Sequence, residues 1–484
     1  MAIKLHLPTG APAYYEWLST VIYVDDTSPI GLNRLLELNT KAVDDGLLPA
    51  ELGQFLTSAG TLSSPQPWTD TAEAIADLTL RHEFCHYLQD IATGVGFSDE
   101  LVFRSEFLNL VGMYSDKQDW QGLETLRADC AEKKLEQFQV FVPPKIEEKR
   151  KRARAEFLER RNIATLPGND PRYLGIANLL EADAIAEVLI HTSSLLKQSR
   201  AATSLLFDEN VVHLWNPHAM PPAYRAVFED LRAVIMGNEH AVSAAGTADG
   251  AIGLLHFLGI VLQQLTDIAL AYPPPSFFED VPDDRRMYFD PVVKFYCCLS
   301  AFHQMNARAG KRMVEWLDGA LDFQTALFTD SEYADIYPDR KAIYAAWQEV
   351  FDKISGDDVM MRARKRVAKT RQTANVSVRR SPLQVDFIQG GGLWWWNSSR
   401  LPVSVFTTDI DSVVDVRKTR GQLMVRISDL RLLDHLCNGK VMFCPFIGKD
   451  CEGETAICRS GFDDVKNLPK ENCVLRHRYA PVCG

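Results

Sequence analysis

The chain has 484 residues, 46% of them hydrophobic and 24% charged, with a formal net charge of -12. That much apolar material suits a large core and excludes a disordered or collagen-like chain. The negative balance argues against a chain built mainly to grip a phosphate backbone, so no nucleic-acid partner is expected.

The opening residues, MAIKLHLPTGAPAYYEW, hold no apolar run of the signal-peptide kind. The most apolar stretch, 251–272, is broken by His256, Gln263, Gln264 and Asp267 and reads as a buried helix, not a membrane span. The expectation is a cytoplasmic chain without membrane contact, whose 10 cysteines favour thiols or metal ligands over disulfides.

In chain order, a short strand is expected at 19–24. Helical periodicity follows over 68–94, 145–161 and 173–198, then 223–236, 251–271, 291–308 and 342–354. Breakers such as Pro273-Pro274-Pro275 separate them. Between Asp357 and Arg380 lie eight Lys/Arg against two Asp, a net of +6. That stretch reads as a linker or a solvated basic helix. Beyond it, Val403–Phe406, Val413–Val416 and Leu423–Ile427 are β-branched or strand-like runs, with Thr419-Arg420-Gly421 as a hairpin turn. The fold class is thus α+β. A mainly helical domain covers 1–355, a basic linker 356–382, and a small mixed or β-rich, Cys-containing module 383–484.

One motif carries specific chemistry. His82-Glu83-Phe84-Cys85-His86 is an HExxH. On a helix, histidines at i and i+4 stand one turn apart on one face, so both imidazoles reach one zinc ion. The glutamate beside the first histidine reaches a water on that metal. The surroundings favour a helix. Asp70 and Glu73 have capping-box spacing, and Ile75, Leu78, Phe84, Leu88 and Ile91 fall at roughly helical intervals. Gly94 offers a stop.

A catalytic zinc needs a third protein ligand. The residues after His86 lack the HxxGxxH continuation. Gly246-Thr247-Ala248-Asp249 misses a GTxxD element by one residue. A glutamate on a second helix fits better. Residues 178–187, NLLEADAIAE, set Glu181 among small alanines that allow close helix packing. An acid buried there needs a partner. Glu187 is the alternative ligand.

Through this motif and second acidic helix, residues 70–200 resemble the gluzincin metallopeptidases, a zincin-like family. The resemblance implies a zinc-dependent metallopeptidase that hydrolyses peptide bonds of a restricted protein or peptide substrate. It makes His82, His86 and Glu181 the zinc ligands, and Glu83 the general base on a zinc-bound water. Ile185 stands where such families often carry Asp, which leaves Asp183 or Glu187 as supporting acids. His191, Tyr173 and Tyr288 are the residues considered for oxyanion stabilisation. Gln89 and Asp90, a turn past His86, could orient an imidazole. The alternative is a catalytically inactive zincin-like scaffold that binds or regulates another protein.

Cys437, Cys444, Cys451 and Cys458 recur every seven residues, but no CxxC pair is present. They could share a metal, form disulfides or remain thiols. Trp394-Trp395-Trp396 reads as aromatic packing, with a platform for a partner protein as the alternative. No GxxxxGK[ST], GxGxxG or GxSxG motif occurs, which weakens nucleotide-binding and serine-hydrolase readings.

Overall fold

Two short strands begin the described chain. Strand β1 (Ala13–Glu16) pairs antiparallel with β2 (Val21–Val24). The connection is tight and puts Leu18 (φ 66) and Thr20 (φ 59) in the left-handed region, which is costly for side chains with a Cβ. Contacts from outside the hairpin hold it. The Leu18 amide donates to Asp90 and its carbonyl accepts from Arg426.

This computed structural model describes residues 13–24, 70–104, 144–160, 174–198, 204–216, 222–236, 246–279, 281–309, 323–328, 331–354, 359–373, 394–396, 403–404 and parts of 422–430. The described residues are mostly helical. They include α1 (Thr71–Ala92), α2 (Gly94–Val102), α3 (Pro144–Arg160), α4 (Ile176–Gln198), α5 (Glu209–Trp215) and α6 (Pro222–Met236). After these come α7 (Ala248–Leu270), α8 (Pro291–Ala309), α9 (Phe323–Phe328), α10 (Arg340–Lys353) and α11 (Val359–Thr373). The small sheet is completed by β3 (Trp394–Trp396), parallel to β2, and β4 (Val403–Ser404), antiparallel to β3.

Helix α1 starts one residue after Asp70, whose carbonyl accepts the Ala74 amide. Gly94 does not simply stop it. Thr93 accepts the Gly96 amide and caps a new helix, α2, of which Gly94 is the first residue. Two apolar clusters meet along α1. Ala74 and Leu78 join a core built from α4, α6, α7 and α8. Tyr87, Leu88, Ile91 and Ala92 join a second, built with β1, α2, α10 and α11. In that second core Phe97 meets Tyr344, Trp347 and Phe351 edge-on at 6.0, 5.6 and 5.0 Å. Such pairs add roughly 0.5–1.5 kcal/mol each beyond burial.

Helices α1 and α4 run antiparallel, as contacts Asp77–His191, Cys85–Asp183 and Gln89–Leu180 show. Helix α4 is buried on its other side by α7. Ala182, Ala184 and Ala186 are fully buried, and a Cβ on Gly259 of α7 would lie 2.7 Å from Ile190. The small residues are what let these helices approach. Helix α7 is long and apolar enough to cross a membrane by length and composition. In this fold Val261, Leu262, Leu265 and Ile268 belong to the main core.

Two sequence expectations change here. The basic stretch after residue 356 is a solvated face only in part where it is described: Arg366 and Lys369 are exposed, but two arginines turn inward. In α11, Arg364 and Arg371 are buried, paired with Asp90, Glu100 and Asp267. Opposite charges on neighbouring helices, invisible in local sequence, draw these arginines inward. Leu423–Ile427 was expected as a strand, yet its described residues are helical. Leu423, Ile427 and Leu430 are buried at helical spacing, which explains the difference. The cysteines from Cys437 onward, Val413–Val416 and the turn at Thr419 lie outside the described residues. So do the side chains of Trp394–Trp396.

Candidate metal centre

Helix α1 delivers His82 and His86 with the spacing of one turn, and both present Nε2 inward, 3.1 Å apart. Glu181 reaches them from the middle of the first half of α4. Its Oε2 lies 3.1 Å from His82 Nε2 and its Oε1 3.5 Å from His86 Nε2. Donors to one tetrahedral ion with bonds of 2.0–2.1 Å stand about 3.3 Å apart, so the trio lies close enough together to hold a metal ion. Among the described residues it is also the cluster able to offer three ligand atoms within 4.8 Å of one another. The side chains remain 23%, 12% and 28% exposed, so solvent reaches the site.

Electrostatics follow from this convergence. Burial opposes charge on His86, but the Glu181 carboxylate outweighs it and raises its pKa to about 9. Burial likewise acts to raise Glu181, yet His86 and His82 hold its carboxyl well below the usual carboxylate range.

Glu83 is not among the converging donors but lies within their field. It is buried, and its Oε2 accepts the Tyr15 amide of β1 at 2.7 Å. Burial raises its pKa, while the two histidines pull it back. Among the described residues strand β1 pairs with β2 alone, and the Tyr15 amide turns to Glu83.

The other sequence-selected residues fall as follows. Gln89 Oε1 lies 2.8 Å from His86 Nδ1. Asp183 accepts from Gln89 and Thr266. Glu187 is held by Gln263, 2.7 Å away, and is not among the converging donors. Asp90 faces the hairpin: it accepts from Tyr15 Oη, Leu18 and Arg364, not from an imidazole. His191 is bound to Asp77 at 2.7 Å, nearly three turns beyond Glu181 on α4. Tyr288 packs against the main core, and Tyr173 lies outside the described residues. The Asp249 considered in the near-miss motif sits in the first turn of α7, which Thr247 caps.

Comparison of the chain with protein-family models, curated proteins and solved structures returned no match. The chemistry of the site therefore rests on its own geometry. Sequence reasoning missed Tyr15 and Thr266. Tyr15 acts through its backbone amide, for which no residue type is diagnostic. Thr266 is a polar position inside an apolar helix, a weak signal that a buried acceptor lies nearby.

Proposed function

We propose that the protein is a zinc-dependent metallopeptidase of gluzincin type acting on a protein or peptide substrate. The observation that carries this reading is the convergence of His82 Nε2, His86 Nε2 and a Glu181 carboxylate oxygen beside the buried Glu83. His82, His86 and Glu181 would hold the ion. A zinc held there supplies Lewis acidity, polarising a carbonyl and acidifying water.

The protein groups do the rest. The Tyr15 amide holds the Glu83 carboxylate in place through Oε2. Glu83 takes a proton from the attacking water as the oxygen bonds to the scissile carbonyl carbon. It then delivers that proton to the amine nitrogen as the C–N bond breaks. Its burial suits this shuttle, because a carboxylate with a raised pKa gives and takes a proton more readily near neutrality. Partial exposure of the three ligands favours an open catalytic centre over a closed structural one.

The test is elemental analysis of full-length protein with His86→Ala, Glu181→Ala and Glu83→Gln beside wild type. One zinc per chain, lost in the first two and kept in Glu83→Gln, with peptide hydrolysis lost only where zinc or Glu83 is lost, is the expected result. Zinc retained in His86→Ala places the metal elsewhere in the chain and overturns the ligand set. Zinc bound without hydrolysis of any peptide library leaves the inactive scaffold.

A further inference from the structure

Resting on that metal-centre reading, we infer that Gln89 and Asp183 form a positioning relay that fixes His86 as the Nδ1–H tautomer, with Nε2 turned to the metal.

The polarity of the hydrogen bonds determines it. Asp183 is fully buried, and its carboxylate oxygens accept hydrogen bonds. Its Oδ1 accepts the Thr266 hydroxyl at 2.6 Å, and its Oδ2 accepts Gln89 Nε2 at 2.7 Å. Gln89 Nε2 also donates to the Leu180 carbonyl at 2.8 Å. Both amide protons of Gln89 are therefore committed to α4. Flipping the amide would aim its oxygen at a carboxylate and a carbonyl, so its orientation is set by the network. Gln89 Oε1 is left facing His86 Nδ1 at 2.8 Å and can only accept. His86 Nδ1 must carry the proton. In the neutral ring the lone pair then sits on Nε2, the atom that faces His82 and Glu181.

Three helices cooperate in this. Gln89 lies on α1, Asp183 and Leu180 on α4, and Thr266 on α7. Asp183 is two residues beyond the ligand Glu181, so one helix supplies both a metal ligand and the anchor for the opposite ligand's orientation. Partners that orient a metal-bound imidazole typically change affinity by about 10–100-fold when removed.

The experiment measures zinc affinity of the full chain by competition with a chromophoric chelator. The visible d–d bands of the cobalt(II)-substituted protein are recorded alongside. The variants are Gln89→Leu, Gln89→Glu and the pair Gln89→Glu with Asp183→Asn. Circular dichroism checks that each is folded. The expected result is a loss of about 10–100-fold in Gln89→Leu. Gln89→Glu faces Asp183 with a second carboxylate and also loses zinc. The pair restores a donor–acceptor contact, since an asparagine amide can donate to the new carboxylate while His86 still donates to it. The Leu180 carbonyl still lacks its donor, so affinity and cobalt bands should recover in part, above the Gln89→Glu single variant. If Gln89→Leu does not fold, the contrast between the single and paired glutamate variants carries the test. Wild-type affinity in Gln89→Leu, or no recovery in the pair, overturns the relay but leaves the metal site standing. A wild type that binds neither ion overturns both.

Discussion

Arg364 and Asp90, 274 residues apart, form an ion pair in which neither side chain is exposed. Arg364 also pairs with the buried Glu100. Asp90 in turn accepts from Tyr15 Oη and the Leu18 amide, and the Tyr15 amide meets Glu83. A basic helix at 359–373 thus reaches, through two residues, the strand that touches the proposed base. Arg364→Ala removes the guanidinium paired with the buried Asp90 and one of the three arginines around Glu100. It is expected to cost about 3–5 kcal/mol in urea unfolding. A chain ending at residue 355 should fail to fold cooperatively. Wild-type stability in either would show that α11 is dispensable.

Glu100 makes the same network pH-sensitive. Burial acts to raise its pKa, but Arg426, Arg364 and Arg104 together lower it from 4.5 to about 2. A depressed carboxylate pKa contributes stability that is complete above 4.5 and lost as pH falls through about 2. Stability measured from pH 5 to 2 should therefore fall less steeply in Glu100→Gln than in wild type, although Glu100→Gln starts lower. Parallel slopes would contradict the assignment.

Lys294 acts with the same sign, at higher pH. It is fully buried on α8, donates to the Ala271 carbonyl at 3.1 Å and lies 5.3 Å over the Tyr337 ring. Burial lowers its pKa from 10.5 to about 8, with Arg340 acting in the same direction. Between those values the unfolded chain holds a proton that the folded one has released, so stability rises with pH. Relative to Lys294→Met, wild type should gain roughly 2 kcal/mol between pH 7 and 10. A constant difference across that range would refute the buried cation.

Gly94 opens α2 against the chain that leaves α7. A Cβ there would lie 2.0 Å from the Tyr272 carbonyl oxygen, and that contact is backbone, not a movable side chain. Gly94→Ala should lower the thermal midpoint by several degrees or more, since overpacking commonly costs about 1–3 kcal/mol. An unchanged midpoint would mean the two segments separate at no cost.

His191 is tied to Asp77, which also pairs with Arg81. Its removal should cost about 1 kcal/mol of stability, the worth of an ordinary hydrogen bond. Zinc content and turnover should be unchanged in His191→Ala. A hundredfold loss of turnover with zinc intact would restore it as an oxyanion donor.

The sequence by itself determined the parts of the site that depend on local geometry. Residues four apart on a helix must share a face, so His82 and His86 were readable as a pair, and Glu83 with them. The alanines around Glu181 marked a helix made for close approach, and Gln89 stood one turn from His86. Most helices were readable too, because amphipathic spacing is a local pattern. Only the tertiary structure decided which acid faces the histidines, because Glu181 and Glu187 sit on one helix and its rotation separates them. Only it buried the arginines of α11, whose acidic partners lie more than 100 residues away. It alone set the Tyr15 amide on Glu83, across 68 residues, because a backbone donor carries no side-chain signature.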